Sequence, residues 1–288
     1  MTSTRTWWYQ VRHALDTRNP LRALRGRRTL AEAVAGRTVL LTGASSGIGR
    51  AAAIELGAAG AVVLLVARRE QELNEVAETI SALGGIAAAY PCDLNDADAT
   101  STMLERVLAE HGHVDILVNN AGRSIRRSLD QSYDRFHDFE RTMQLNYFAA
   151  VRMMLAVLPG MRERGFGQVI NVLSVANLFG GPGYGAYVAS KAALDELATC
   201  FQAETLDENI RFTSVYMPLV RTAMIAPNEK WRDAAALTAE QGGRVICDAV
   251  TDRPRRVGPL SGKAVTLVDA ITPARADKGR SRRFRSGV

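Results

Sequence analysis

Residues 38–49, TVLLTGASSGIG, constrain this chain more than any other stretch. The uncharged run TVLLT reads as a strand buried on both faces, and such strands belong to parallel sheets covered by helices on each side. Glycines at 43, 47 and 49 let the backbone turn sharply and leave room for another group to come close. The helix GIGRAAAIELGAAG opens directly out of that turn, so its free N–H groups and partial positive charge face outward from the sheet edge. A pyrophosphate suits both features, and strand, loop and helix in this order are what a dinucleotide site demands. The glycines alone would fit a plain tight turn equally well.

The alternation continues along the chain. AVVLLVA, IAAAYPCDL, VDILVNNAG, GQVINVLSV and IRFTSVYMP read as five further strands, separated by helical stretches such as EQELNEVAETISALGG, a long helix over 134–163 and another over 184–207. Six apolar strands alternating with helices predict a doubly wound parallel α/β sheet, a single domain with helices on both faces. Toward the C-terminus ALTAEQGGRVICDAV predicts a helix and RRVG (255–258) a short last strand. Leu260, Ala264, Leu267, Val268 and Ile271 share one helical face and favour a final helix there.

Composition excludes several classes. No stretch of about 18 uncharged apolar residues occurs, so no transmembrane helix is expected, and the N-terminus lacks the apolar stretch of a signal peptide. Three cysteines (92, 200, 247) without CxxC pairing, and four ungrouped histidines, argue against disulfide frameworks and metal sites and favour a cytoplasmic setting. His111 and His113 read as a solvated turn. The net charge of +6 lies in two tails: residues 1–30 hold seven arginines against Asp16, and residues 275–285 hold six basic residues against Asp277. Both tails read as low-complexity or disordered material. The organisation expected is a basic arm over 1–34, a catalytic domain over 35–260 with a substrate loop over 219–240, and a C-terminal helix with basic tail over 261–288.

The motifs now fall in order. TGASSGIG (42–49), CDL with Asp93, NNAG (119–122), Asn146 in LNYFAAV, Ser174 thirteen residues before Tyr187, and YGAYVASK (184–191) with Tyr187 four residues before Lys191 resemble the short-chain dehydrogenase/reductase family over residues 36–225. The resemblance implies a Rossmann-type fold and a catalytic set of Asn146, Ser174, Tyr187 and Lys191. Tyr187 is expected as general acid in reduction or base in oxidation. Lys191, one turn on, is expected to lower its pKa and bind the nicotinamide ribose. Ser174 is expected to donate to the substrate carbonyl, and Asn146 to hold a proton-relay water through its backbone. Cofactor contacts are expected from Gly43, Ser45, Ser46, Gly47, Ile48, Gly49, Asp93, Leu94, Asn120, Ala121, Gly122, Tyr187, Lys191, Pro218, Val220 and Thr222.

The end of the second strand, VARRE, has Arg68 where an acid would accept from the ribose of NAD, so Arg68, with Ser45 and Arg69, points to NADP(H). Pro218–Leu219 departs from the family's usual Pro–Gly, and Leu219 is expected to stiffen that loop and press on cofactor or substrate. NNAGRSIRRS, YDRFHDFERTMQLNYF and YMPLVRTAMIAP resemble bacterial relatives of fatty acyl-CoA reductase C-terminal domains, which implies a lipid-like aldehyde or ketone substrate. Leu178, Phe179, Tyr184, Met224, Ile225 and Trp231 are the expected pocket wall and lid, with core packing as the rival reading of the last three.

Trp7, Trp8 and Tyr9 among the arginines offer peripheral membrane contact through residues 1–30, but Pro20 and the short apolar face favour a solvated arm that packs on a partner subunit. No motif accompanies the charge that would point to nucleic acid. The family implies a homo-dimer or homo-tetramer. An NADPH-dependent carbonyl reductase is the leading reading. An alcohol or hydroxysteroid-type dehydrogenase running oxidatively is the second, and a non-catalytic NADP(H)-binding sensor the third.

Overall fold

A computed structural model describes residues 28–225 and 234–285. Residues 1–27, with the aromatic cluster at 7–9, and Trp231 lie outside the described residues. The first helix, α1 (Leu30–Val34), starts at a capping box in which Thr29 and Glu32 satisfy each other's backbone N–H groups. It buries Ala33 and Val34, so packing begins within the segment expected to be an arm.

Seven strands follow: β1 (Thr38–Thr42), β2 (Val62–Ala67), β3 (Ile86–Pro91), β4 (Ile116–Asn119), β5 (Gly167–Ser174), β6 (Ile210–Met217) and β7 (Arg256–Val257). All pair in parallel, in the order β3-β2-β1-β4-β5-β6-β7. The helices between them are α2 (Gly47–Ala58), α3 (Glu70–Ala82), α4 (Ala97–His111), α5 (Phe136–Met143), α6 (Ala149–Glu163), the short α7 (Ala176–Phe179), α8 (Gly185–Thr205) and α9 (Ala239–Asp252). Strand alternation divides the apolar residues between two layers. Val39, Leu41, Val63 and Leu65 pack with Ala53, Leu56, Val76 and Ile246 of α2, α3 and α9. Leu40, Leu64, Leu117 and Phe212 pack on the other side with Val107, Met153, Met154 and Leu194 of α4, α6 and α8. Full burial of each such aliphatic side chain contributes roughly 1.5–3 kcal/mol, so both faces are needed to hold the sheet.

The strand order reverses at β1, which has β2 on one side and β4 on the other. Sheets of this type open a crevice at the carboxyl ends of the strands flanking that point, and the glycine turn and NNAG both lie there. Beyond β7 the chain forms two more helices, α10 (Leu260–Ile271) and α11 (Pro273–Arg285). The tail expected to be disordered is therefore helical. Arg280 fixes it by pairing with Asp269 at 2.6 Å and Asp277 at 2.9 Å, and by donating through Nε to the Phe179 carbonyl at 3.2 Å. The corner at 111–113 is also better held than a solvated turn: His111 faces the Tyr90 hydroxyl at 2.7 Å, and His113 reaches Asp115 at 3.5 Å.

Candidate active site

The glycine turn is tied to β2, because the Val66 carbonyl accepts from the amides of Gly43 (2.8 Å) and Ala44 (3.2 Å). Gly43 and Gly47 both sit at positive φ, +69° and +54°, where a side chain would be strained. Gly49 meets a different limit. A Cβ there would stand 2.1 Å from the Gly43 carbonyl oxygen and 2.6 Å from Asn120 Nδ2. Ser46, the N-cap of α2, makes no side-chain capping bond, so the first amides of that helix lack an internal partner. An uncapped helix start above side-chain-free backbone is what a pyrophosphate needs, and these residues fit a dinucleotide. Ile48 lies half-buried beside the turn, against Gly242 of α9.

Thr42 joins the turn to NNAG. Its hydroxyl donates to the Val118 carbonyl (3.2 Å) and accepts from the amides of Asn120 and Ala121, each at 3.0 Å. Asn120 Nδ2 in turn donates to the carbonyls of Thr42 (3.0 Å) and Gly43 (3.3 Å). On the far side Thr222 closes over the turn, with its methyl 3.0 Å from where a Gly47 Cβ would be. The strand-six exit is anchored by a parallel bridge between Val220 and Leu237. The Leu219 carbonyl accepts from Leu237 N at 2.8 Å and the Leu237 carbonyl accepts from Arg221 N at 2.9 Å. Leu219, in place of the family's glycine, thus stands in a paired extended segment, with Pro218 and Val220 buried beside it.

At the end of β2, Arg68 and Arg69 are both exposed. Arg69 is the one that reaches the loop, donating to Ser45 Oγ at 3.4 Å while pairing with Glu72. Arg68 acts at longer range, its charge falling on Asp93. Burial works upward on the Asp93 carboxyl. That is outweighed by hydrogen bonds from Asn95 N (3.1 Å) and Nδ2 (2.7 Å) and by the charges of Arg68 and Arg123, so the pKa is lowered. Asp93 is thereby held in its own turn, while Asp96 caps α4 and Leu94 is buried in the core.

The four expected catalytic residues converge on this crevice. Tyr187 stands in the first turn of α8, and Ser174, at the end of β5, is close enough to act on its phenol. Ser190, three residues on, donates to the Tyr187 carbonyl at 2.7 Å and accepts from Asn146 Nδ2 at 2.9 Å. Asn146 also donates to the Arg123 carbonyl (2.9 Å) and accepts from the Arg123 amide (2.8 Å), bracing the residue after NNAG. It can do so because the helix opens into one π turn at Gln144–Phe148, the local distortion often found at functional sites. Lys191 is buried and donates through Nζ to the Val172 carbonyl at 2.8 Å. A Cβ on Gly122 would lie 3.2 Å from Asn146 Oδ1 and 3.3 Å from Lys191 Nζ, so the NNAG turn, Asn146 and Lys191 share one spot.

The electrostatics differ from the expected lowering of Tyr187 by Lys191. Burial pushes the Tyr187 phenol up, Tyr184 nearby adds to that, and Ser174 works the other way. Burial pulls the Lys191 ammonium down to about 8. Its hydrogen bond goes to the Val172 backbone carbonyl.

The expected pocket wall follows β5. Leu178 and Phe179 on α7 are half-buried, and Leu178 reaches α10, where it fills the space beside Gly262. Tyr184 starts α8. Arg127 fixes the opposite edge: its amide donates to the Gly183 carbonyl at 2.7 Å and its Nε to Asp138 at 2.7 Å. Of the lid candidates, Met224 is half-exposed and Ile225 partly covered. Sequence reasoning assigned no role to Ser190 or Thr42. Both stood in quoted motifs, and each is a hydroxyl placed to bond its own neighbourhood.

The fold and this constellation define a dinucleotide-type oxidoreductase crevice. The short chain dehydrogenase family profile matches residues 37–233. The chain belongs to the short-chain dehydrogenase/reductase family. An uncharacterized oxidoreductase of Mycobacterium tuberculosis is 52% identical over 270 residues, covering 93% of this chain and 79% of that protein. A fatty acyl-CoA reductase of Acinetobacter baylyi is 49% identical over 242 residues, covering 84% of this chain and 82% of its own. Among solved structures, a metagenomic short-chain oxidoreductase in complex with NADP is 30% identical with a TM-score of 0.66, covering 76% of this chain and 92% of that one.

Proposed function

We propose that the protein is an NADPH-dependent reductase of a lipid-like aldehyde or ketone. The observation that carries this reading is the meeting of Tyr187 and Ser174 at the crevice, one helical turn from a buried Lys191 that shares its spot with Asn146 and the NNAG turn. When bound, the dinucleotide supplies the hydride. The residues that would hold it are the 43–49 turn, Arg68 and Arg69 on a 2′-phosphate, Asp93 and Leu94 near the adenine, Asn120 to Gly122 below the nicotinamide, and Lys191, Val220 and Thr222 around it. Ser174 donates to the substrate carbonyl and Tyr187 gives its proton to the oxygen that becomes the alcohol. The phenol is protonated at neutral pH, which is the form reduction uses. Asn146 and Ser190 position the Tyr187 backbone, and Lys191, already softened by burial, sits where a proton can be passed on.

Support for a lipid-like substrate comes from the half-buried apolar side chains of Leu178 and Phe179 after β5 and from the relative named fatty acyl-CoA reductase. The test is NADPH consumption with long-chain aldehydes, 3-oxoacyl thioesters and steroids. Turnover is expected with a long aliphatic carbonyl compound, and with NADPH in preference to NADH. Reduction confined to small polar carbonyls, or a preference for NADH, would refute it.

A further inference from the structure

We propose that the C-terminal hairpin, α10 and α11, is a docking surface for an anionic lipid bilayer. On α10 the residues Ala264, Leu267, Val268 and Ile271 follow the i, i+3, i+4, i+7 spacing of one face, and among the described residues that face is exposed. Leu267 is 62%, Val268 52% and Ile271 69% exposed. On α11, Arg275, Lys278, Arg282 and Arg285 follow the same kind of spacing and are all exposed. Both acids of the hairpin, Asp269 and Asp277, are spent on Arg280, so they do not neutralise this row. An exposed aliphatic stripe on one helix and a row of exposed cations on the next is a composition suited to the headgroup region of an anionic bilayer.

Two other covers are disfavoured by charge. A second copy meeting this hairpin with its own would add another cationic row and no free acid to pair with it. The N-terminal segment is no better, because residues 1–30 carry seven arginines against one acid. An anionic lipid surface satisfies both the aliphatic and the cationic residues. The hairpin is also fixed to the pocket wall, by Arg280 on the Phe179 carbonyl and by Leu178 against Gly262. A docked hairpin therefore places that wall close to the bilayer, whichever substrate the crevice accepts.

The test is co-flotation of the full chain with vesicles of phosphatidylcholine alone and of phosphatidylcholine containing about 30% phosphatidylglycerol. The wild type should float with the anionic vesicles and stay behind with the neutral ones. Leu267→Asp with Ile271→Asp, and separately Arg282→Glu with Arg285→Glu, should each cut the bound fraction about tenfold or more. Leu267→Ala with Ile271→Ala, a milder pair at exposed positions, should weaken binding with an unchanged melting curve. The proposal fails if the wild type does not float with anionic vesicles, or if both substituted hairpins float as well as it does. It also fails if the aspartate pair halves the particle mass in light scattering while vesicle binding is unchanged, because the face then belongs to a second copy.

Discussion

Lys191→Met should stabilise the fold while removing turnover. Folding takes the ammonium from its ordinary 10.5 to about 8 through burial. A gap of about 2.5 pH units, at about 1.4 kcal/mol each, is a cost of roughly 3 kcal/mol at neutral pH. Methionine removes that cost but leaves the Val172 carbonyl without its 2.8 Å donor, which costs about 1–2 kcal/mol. The net gain expected at pH 7 is on the order of 1–2 kcal/mol. The sign follows from linkage. The folded-state pKa is below the unfolded one, so the penalty is full below pH 8 and fades as pH rises toward 10.5, where both states are deprotonated. The advantage of Lys191→Met must shrink across that window. Urea unfolding midpoints of both proteins without cofactor, from pH 7 to 10.5, measure it. A variant less stable than wild type at pH 7, or a difference that stays flat across the window, would refute the reasoning.

Three more outcomes are expected. Gly49→Ala should destabilise by about 1–3 kcal/mol or more, because its methyl meets the Gly43 carbonyl at 2.1 Å, and should weaken NADPH binding at least about tenfold; a melting curve and a fluorescence titration check both. Arg68→Asp should raise the KM for NADPH about tenfold or more and favour NADH, read from steady-state kinetics with each cofactor. Ser190→Ala should cost about 1–2 kcal/mol and lower kcat more than KM, since Asn146 Nδ2 and the Tyr187 carbonyl both lose a partner; equal rates in wild type and variant would remove its positioning role.

The fold was legible because each strand is a short apolar run, and the switch point follows from the glycine turn on β1. Asn146 also signalled itself, as a poor helix former in a long helix, and it lies in the π turn. Other features depend on partners far away in sequence. The arginine-rich tail reads locally as disordered, yet Arg280 finds the Phe179 carbonyl about a hundred residues upstream. Arg69 rather than Arg68 meets Ser45, across 24 residues of sequence. The spacing of Tyr187 and Lys191 was readable, but their electrostatics were not, because burial and the Val172 carbonyl decide where the ammonium points.

The most direct measurement is NADPH oxidation by wild type and Tyr187→Phe with the best long-chain carbonyl substrate, alongside NADPH affinity of both proteins. Loss of the phenolic proton should cut kcat by about 10²–10⁴-fold with cofactor affinity nearly unchanged. A phenylalanine variant that keeps wild-type kcat would contradict the assignment of proton transfer to Tyr187, and with it the reading of this crevice as a reductase site.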